Sequence, residues 1–206
     1  MSPEERVSVL LDLLERRYGR IVWWDASPEE VIIGAVLTQQ TRWENVEQAL
    51  ENLSKAGICS TEGIAAADAA TIEEQIRPAG FYRVKTRRLK AVSLMVQESG
   101  GIRALGEMPT ADLREALLAV HGVGEETADS ILCYGFQRAS FVIDAYTRRI
   151  CGCMGISGSY RDLKDLFERV LPAEATAHAQ AHGWIVEYAK EFCGKKRCEE
   201  CRIKIL

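Results

Sequence analysis

The sequence predicts an all-α fold on two observations. Signals for the start of a helix recur along the chain, each a serine or threonine followed closely by proline or acidic residues, at Ser2, Ser27 and Thr71. The apolar residues after them recur with the three- to four-residue spacing of an amphipathic helix. The best candidate for a strand, residues 140–143, is too short to found a sheet.

Each helix can be placed from its own signals. The first, after Ser2, carries three leucines on one face, and the second, after Ser27, is almost entirely apolar over residues 31–37. We therefore expect the second helix to be buried nearly all round. A third start falls at Thr71. The remaining helical patterns cover roughly residues 43–55, 84–99, 109–120, 125–136, 145–153, 161–170 and 174–192.

The bulk composition is that of an ordinary globular protein. The 206 residues suffice for one large domain or two small lobes, and 47% of them are hydrophobic and 27% charged. The net charge of -4 argues against a protein that coats nucleic acid without selection. It leaves room for a local basic face, because phosphate binding depends on where the charges lie.

Nothing in the sequence predicts a membrane partner or secretion. No uninterrupted apolar run is long enough to span a bilayer, and residues 1–17 form a charged amphipathic stretch that lacks the apolar core of a signal peptide. We therefore expect a cytoplasmic protein. Seven cysteines, an odd number, argue against a disulfide framework in that compartment.

A glycine turn between two amphipathic segments is the most informative feature. The tripeptide Gly-Val-Gly at 122–124 ends one segment, and a second helix begins at once. Glycine permits a positive φ and close approach of another backbone, and the N–H groups that open the second helix can hold a phosphate. The alternative is a tight turn between packed helices. The apolar flanks and the Thr-Ala that follows favour a sequence-independent grip on DNA, to which we assign His121, Gly122, Val123, Gly124, Glu126 and Thr127.

Asp144 is the candidate catalytic carboxylate. It follows the apolar tripeptide Phe-Val-Ile and precedes a helix, so the simplest interpretation is a helix N-cap. A carboxylate there could also stabilise positive charge on a deoxyribose and orient a water molecule, as in glycoside cleavage through an oxocarbenium-like transition state. The two interpretations are compatible, because one oxygen can cap while the other faces substrate. Arg148, one turn later, is a candidate phosphate contact.

These motifs resemble those of the helix-hairpin-helix Gly-Pro-Asp superfamily, which includes endonuclease III and the adenine-mismatch glycosylases. The hairpin Val-His-Gly-Val-Gly-x-x-Thr-Ala is followed by Val-Ile-Asp, which ends twenty residues past Gly124. Residues 35–41 and the segment Gly-Phe-Tyr-Arg-Val-Lys at 80–85 are similar to further motifs of the superfamily. The resemblance implies an endonuclease III-like fold of two helical lobes with a DNA-binding cleft.

The same resemblance predicts how the chain is divided. One lobe would contain six helices in residues 21–135, with the helix-hairpin-helix at about 113–133. The other would combine residues 1–20 with 136–206, including a cysteine loop at 193–201. The implied activity is base-excision repair by a monomer that flips a damaged base out of double-stranded DNA and hydrolyses its N-glycosidic bond.

A subgroup, the type III 3-methyladenine DNA glycosylases, is similar in further segments. These are Trp23-Trp24, residues 78–82, residues 128–134 and His182-Gly183-x-Ile185-Val186-Glu187. The resemblance implies excision of alkylated purines, notably 3-methyladenine. A methylated purine carries positive charge, so its glycosidic bond is already weakened and an aromatic box can select it by stacking and cation–π attraction.

The pocket candidates follow from that subgroup. The aromatic box would use Trp23, Trp24 and Trp43, and Lys190 would line the pocket; core packing and a solvated helix cation are the alternatives. Gln39 and Gln40 fall where the superfamily fills the gap left by the flipped base, unless they form a polar helix end.

One departure from the superfamily sharpens the expected reaction. Members that also cut the strand carry a lysine two residues after the second hairpin glycine, where it forms a Schiff base with the sugar. This chain has Glu126 there, and a carboxylate cannot form an imine. We therefore expect hydrolysis without strong lyase activity, with Lys190 as the alternative nucleophile.

The C-terminal cysteines resemble the superfamily's iron–sulfur loop incompletely. Cys193, Cys198 and Cys201 are spaced x4 and x2, where the superfamily has four cysteines spaced x6, x2 and x5. Four thiolates normally hold a 4Fe-4S cluster. Two alternatives remain: a cluster held by three cysteine thiolates and a nonprotein ligand, or a motif that has lost the cluster. We expect that the chemistry requires no cofactor.

Two other functions fit parts of the sequence. One is a bifunctional endonuclease III-type glycosylase and lyase that acts on oxidised pyrimidines. The other is a DNA-binding module that keeps the hairpin and performs no chemistry.

Overall fold

Twelve α-helices make up most of residues 1–205, which the computed structural model describes, and no strand occurs among them. The all-α prediction is confirmed. None of these helices has the length and apolar character needed to cross a bilayer. The helices are α1 (Pro3–Tyr18), α2 (Pro28–Leu37), α3 (Trp43–Lys55), α4 (Thr61–Ala66), α5 (Ala69–Gln75), α6 (Tyr82–Glu98), α7 (Gly101–Glu107), α8 (Thr110–Ala119), α9 (Glu125–Ser130), α10 (Ala145–Cys153), α11 (Tyr160–Val170) and α12 (Ala175–Ala189).

The chain divides into two compact units. The continuous unit is Ala26–Phe136, and the split unit combines Met1–Asp25 with the chain from Gln137 onward. The continuous unit therefore contains α2 to α9 with the glycine hairpin. The split unit contains α1, α10, α11 and α12.

Helix α2 is the centre of the continuous unit. The Ser27 hydroxyl accepts a hydrogen bond from the Glu30 amide, and Pro28 occupies the first turn, as the sequence predicts. All seven residues from 31 to 37 are buried, and α2 packs against α3, α6 and the turn at Ile131–Gly135. Each fully buried aliphatic side chain stabilises the unit by about 1.5–3 kcal/mol relative to exposure, so this helix contributes a substantial part of the unit's core.

The split unit is built around α1 and α12. Val7, Leu10 and Leu14 of α1 are completely buried, and α1 packs against both α11 and α12. The rings of Phe141 and Phe167 stack with centroids 4.3 Å apart and planes 6° from parallel. The segment that precedes Asp144 is thus anchored in the core, which fixes where α10 begins.

The helix starts agree with the sequence at two positions and differ at a third. The Ser2 capping box and the Ser27 cap form as predicted. The predicted start at Thr71 is wrong, because Asp68 caps α5 and Thr71 lies inside that helix. The Asp68 carboxylate accepts from both the Thr71 amide, at 2.9 Å, and the Thr71 hydroxyl, at 2.7 Å. An aspartate three residues upstream thus takes the capping role that Thr71 was expected to play.

Two helices predicted as continuous end in wider turns. Residues 125–136 form α9 and then a π-helical turn at Ile131–Gly135, and α12 is followed by another at Lys190–Gly194. A π turn bonds residue i to i+5 and so inserts one extra residue into the helix. A 3.6-residue pattern continued through either segment therefore assigns the residues after the π turn to the wrong helix face.

Candidate active site

The glycine hairpin joins α8 to α9. Gly122 has φ +90°, and a Cβ added there would lie 2.5–2.7 Å from the Arg88 side chain, so glycine is required on two grounds. Gly124 is extended, caps α9 and has open space around its Cα. Of the hairpin residues assigned to DNA, His121, Gly124 and Glu126 are exposed, whereas Val123 and Thr127 are buried. Those two can therefore offer DNA their backbone rather than their side chains.

Gln39 braces this hairpin. Its amide nitrogen donates to the Gly122 carbonyl and to the Thr127 hydroxyl, both at 3.0 Å. Its amide oxygen accepts from the Arg88 guanidinium. Gln39, one of the pocket candidates from the sequence, is thus bonded to the hairpin itself. Its neighbour Gln40 is exposed and has a left-handed backbone at φ 55°.

A buried ion pair holds the two hairpin helices together. Arg114 of α8 donates twice to the carboxylate of Asp129 on α9, at 2.8 and 3.1 Å, and Asp129 is completely buried. Such a bidentate pair fixes geometry as well as distance. The orientation of α9, and hence of the amides at its start, is set by this contact.

Lys85 supports the turn after α2. Its buried amine donates to the Leu37 carbonyl at 2.8 Å, the Ala79 carbonyl at 2.7 Å and the Thr41 hydroxyl. Burial and the nearby charge of Arg88 lower the pKa of Lys85 to about 8. The lysine of the Gly-Phe-Tyr-Arg-Val-Lys motif is therefore structural, and it shapes the turn that carries Gln39 and Gln40.

Asp144 begins α10 in the split unit, and its two carboxylate oxygens have different surroundings. Oδ1 accepts from the Thr147 amide at 2.7 Å, which is the predicted N-cap. Oδ2 lies 3.5 Å from Nε2 of His182 on α12, and 15% of the side chain is exposed. Burial acts to raise the pKa of Asp144, but the nearby imidazole of His182 and the Thr147 hydrogen bond outweigh it and hold the pKa below its usual value. The carboxylate is therefore ionised at neutral pH.

Trp23 and Lys190 lie in the same unit as Asp144. The Trp23 ring meets His182 edge to face, with centroids 6.1 Å apart, and the Lys190 ammonium lies 5.6 Å from the Trp23 ring centre. Lys190 also pairs with Glu187 at 3.0 Å, which offsets its charge. The structure thus joins Asp144 and Trp23 through His182, a residue to which the sequence assigned no role, and Lys190 is joined to them through Trp23.

The other predicted residues are distributed as follows. Trp24 is half-buried with φ 35°, and Trp43, also half-buried, is the first residue of α3 in the continuous unit. Arg148 is exposed on α10, where it donates to the Gly158 carbonyl at 3.3 Å and lies over the Tyr160 ring. Its guanidinium is held close to the protein surface, with exposure that suits a phosphate contact.

The C-terminal cysteines lie close to a further thiol. Burial raises the pKa of Cys193, and the neighbouring thiol of Cys153 adds to the effect. The Tyr188 hydroxyl donates to the Cys201 sulfur at 3.4 Å, and Cys198 is exposed. Within residues 1–205, no three His, Cys, Asp or Glu side chains are grouped so as to hold a metal ion. A four-iron cluster needs four thiolates, so Cys193, Cys198 and Cys201 do not by themselves complete its donor set.

Three residues that matter to the site were missed by sequence reasoning. His182 faces Asp144, Arg88 donates to Gln39, and Lys85 holds the turn that carries Gln39 through the Leu37 carbonyl; each of these partners lies far along the chain. His182 and Lys85 do fall within the motifs that carry the family resemblance. Their place in these motifs could have marked them as important, but the motifs do not indicate which residues their side chains contact.

Comparison with known proteins identifies the family. Residues 33–173 match the family model of the HhH-GPD superfamily base excision DNA repair proteins. A Methanocaldococcus jannaschii protein, named provisionally as a DNA repair glycosylase, is 41% identical over 97% of this chain and 94% of its own length. Endonuclease III of Thermotoga maritima is 29% identical over 87% of this chain and 82% of its own length.

Solved structures give the same result. The Helicobacter pylori 3-methyladenine DNA glycosylase bound to 1,N6-ethenoadenine superposes with a TM-score of 0.80 at 30% identity, covering 93% of this chain and 98% of the other. An endonuclease III–DNA complex superposes with a TM-score of 0.82 at 20% identity, covering 98% and 94%, and shows the shared fold. The family match and the identity to the M. jannaschii protein place the chain among DNA repair proteins. This chain belongs to the HhH-GPD superfamily of base excision DNA repair proteins.

Proposed function

We propose that this protein is a monofunctional DNA glycosylase that removes alkylated purines, with 3-methyladenine as its main substrate. The observation that carries the proposal is the Asp144 carboxylate, held ionised with one oxygen fixed by the Thr147 amide and the other directed toward the Trp23–His182 contact. The likeness to the H. pylori 3-methyladenine glycosylase supports the choice of substrate.

The reaction would begin with binding of double-stranded DNA and extrusion of the damaged nucleotide. The amides of the glycine hairpin and exposed cations such as Arg148 would hold phosphates. Gln40, exposed on the turn after α2, is better placed to enter the gap in the duplex than Gln39, whose amide is bonded to the hairpin.

The chemistry follows from the charge of the leaving base. A methylated purine departs as a neutral molecule, and positive charge develops on the sugar. The ionised carboxylate of Asp144 would stabilise that charge and orient a water molecule toward the anomeric carbon. Trp23 would bind the cationic ring by stacking and cation–π attraction. The Lys190–Glu187 pair leaves little net charge to repel that ring.

The substitution Asp144→Asn tests the catalytic role. Asparagine is as good an N-cap as aspartate, so α10 should remain intact while the negative charge is lost. We expect release of 3-methyladenine from methylated duplex DNA to fall by at least about 100-fold, with an unchanged midpoint of thermal unfolding. Base release at the wild-type rate would remove Asp144 from the mechanism. A wild-type protein that releases no base from 3-methyladenine, hypoxanthine, uracil-mismatch or thymine-glycol duplexes would favour the binding-module alternative.

Borohydride trapping on abasic DNA tests whether the protein is also a lyase. Glu126 is exposed at the position where bifunctional relatives carry their lysine, so we expect no strong covalent adduct from the wild type. Glu126→Lys provides the matched variant, and an adduct formed by it alone would show that the assay detects a Schiff base at this position. A strong wild-type adduct would favour the bifunctional alternative, with Lys190 as the first residue to test.

No step of this mechanism requires a metal or another cofactor, and the chain is proposed to act as a monomer. Iron and sulfide analysis of anaerobically purified protein tests the cysteine loop. A full complement of iron would show that a further ligand, such as the Cys153 thiol near Cys193, completes the set of three. Elution of the free protein as a dimer would contradict the monomer.

A further inference from the structure

The Asp144 carboxylate has one oxygen that is not used by the helix cap, and that oxygen faces a histidine. Nε2 of His182 lies 3.5 Å from Oδ2, while Oδ1 is occupied by the Thr147 amide at 2.7 Å. His182 is 6% exposed. A polar ring this deeply buried, aimed at a carboxylate, needs an explanation beyond packing.

The imidazole is held in place from two sides. Phe141 and Trp23 each meet it edge to face, with ring centroids 6.2 and 6.1 Å away. Phe141 is itself stacked on Phe167 in the core. The ring therefore has little freedom to turn away from Asp144.

The position of Trp23 against this ring depends on the next residue of α12. A Cβ added to Gly183 would lie 3.0 Å from the Trp23 ring. The chain leading to Trp23 is fastened to the same helix, since Gln180 pairs with both backbone groups of Ile21 and the Trp184 indole donates to the Gly19 carbonyl. Neighbouring residues of α12 thus set the places of His182 and Trp23 together.

We propose that His182 is a positioning residue for the glycosylase reaction: it donates a hydrogen bond from Nε2 to the second carboxylate oxygen of Asp144 and so keeps the carboxylate aimed at the sugar, while its ring supports Trp23 where the base would stack. The inference rests on the proposed function. It adds a link between base recognition and bond cleavage, because both contacts depend on one imidazole.

Two substitutions separate the hydrogen bond from the packing. His182→Phe keeps a ring of similar shape and loses the donor, whereas His182→Gln keeps a nitrogen donor near the position of Nε2 and loses the ring. His178→Phe is the matched control, because His178 is buried one turn earlier on α12 and also meets Phe141 edge to face, at 6.0 Å.

The measurement is the single-turnover rate of base release from a 3-methyladenine duplex, with the dissociation constant for DNA and the thermal midpoint measured on the same samples. We expect His182→Phe to slow base release by roughly 10- to 100-fold, the loss of one hydrogen bond to a charged group, with little change in DNA affinity. His182→Gln should recover part of that loss, because it restores the donor without the ring that supports Trp23, and His178→Phe should leave the rate unchanged.

A double-mutant cycle makes the test specific. If His182 acts through the carboxylate, His182→Phe should slow base release little further once Asp144→Asn is present. A rate unaffected by His182→Phe, or an equal loss with His178→Phe, or additive losses in the cycle would each overturn the positioning role while leaving the glycosylase intact. A wild-type protein that releases no base would instead overturn the proposed function and this inference with it.

Discussion

Asp144 combines a helix cap with the candidate catalytic carboxylate in one residue. Its Oδ1 satisfies the Thr147 amide at the start of α10, and this bond is among the causes that lower its pKa. The cap therefore does more than begin a helix, because it fixes the carboxylate and favours its charged form. Because a capping carboxylate still has a second oxygen available, the sequence predicted both the N-cap and the catalytic role for this position without choosing between them.

Gly183 is the residue on which the placement of Trp23 depends. Alanine is normally preferred to glycine inside a helix. At this position, however, its Cβ would lie 2.7 Å from Cδ1 of Ile21 and 3.0 Å from the Trp23 ring. We expect Gly183→Ala to destabilise the protein by about 1–3 kcal/mol, to alter tryptophan fluorescence and to slow base release.

Gly152→Ala is the control for that change. Gly152 lies within α10, and nothing occupies the space its Cβ would enter. Alanine there should be neutral or stabilise by up to about 1 kcal/mol. Chemical denaturation of both variants gives the comparison, and equal stability of the two would contradict the crowding at Gly183.

At the scale of elements, the hairpin is stabilised from outside itself. Gln39 follows α2, Arg88 belongs to α6, and both contact the turn between α8 and α9. The Arg114–Asp129 pair then fixes α8 against α9. A turn with only a few residues of its own thus depends on α6, α8, α9 and the turn after α2 for its shape, so substitutions outside the hairpin should also affect it.

The two adjacent glutamines should behave differently when replaced. Gln39→Leu leaves the Gly122 carbonyl and the Arg88 guanidinium without their buried partner, so we expect a loss of about 1–3 kcal/mol in the free energy of unfolding. Gln40→Ala removes an exposed side chain and should change stability by less than about 0.5 kcal/mol, yet it should slow base release. Urea denaturation and the glycosylase assay, run on both variants, check the pair. A stable, fully active Gln40→Ala protein would return the gap-filling role to Gln39.

At the scale of the whole molecule, the net charge is negative. The chain has 30 acidic and 26 basic residues, so its net charge does not attract DNA. In the function we propose, binding relies on local features, namely the hairpin amides and exposed cations such as Arg148. One cation, Lys85, is instead buried under the turn after α2, where folding lowers its pKa to about 8.

Lys85 predicts how the stability of the fold depends on pH. An unfolded lysine keeps its ordinary pKa of about 10.4, so between about pH 8 and pH 10 the unfolded state binds more protons than the folded one. Stability contributed by this group should therefore rise with pH over that window. We expect Lys85→Met to abolish this rise in the free energy of unfolding, whereas Lys55→Met, at an exposed helix end, should keep it. Parallel curves for the wild type and Lys85→Met would contradict the lowered pKa.

The sequence by itself determined the helical class, most helix starts, the glycine hairpin and the capping aspartate. These features depend on residues within one or two turns of each other, so a capping serine or a Gly-x-Gly turn carries its own evidence. The wrong helix start at Thr71 and the two π turns are also local features. The apolar pattern does not show which of two nearby residues caps a helix, nor does it show one extra residue in a turn.

Only the tertiary structure decided what Gln39, Lys85 and His182 contact. Gln39 meets Gly122 across 83 residues, Lys85 meets Leu37 across 48, and His182 faces Asp144 from another helix. No local propensity encodes such pairs, because each polar side chain has many partners available until the packing of the helices brings one of them within hydrogen-bonding distance.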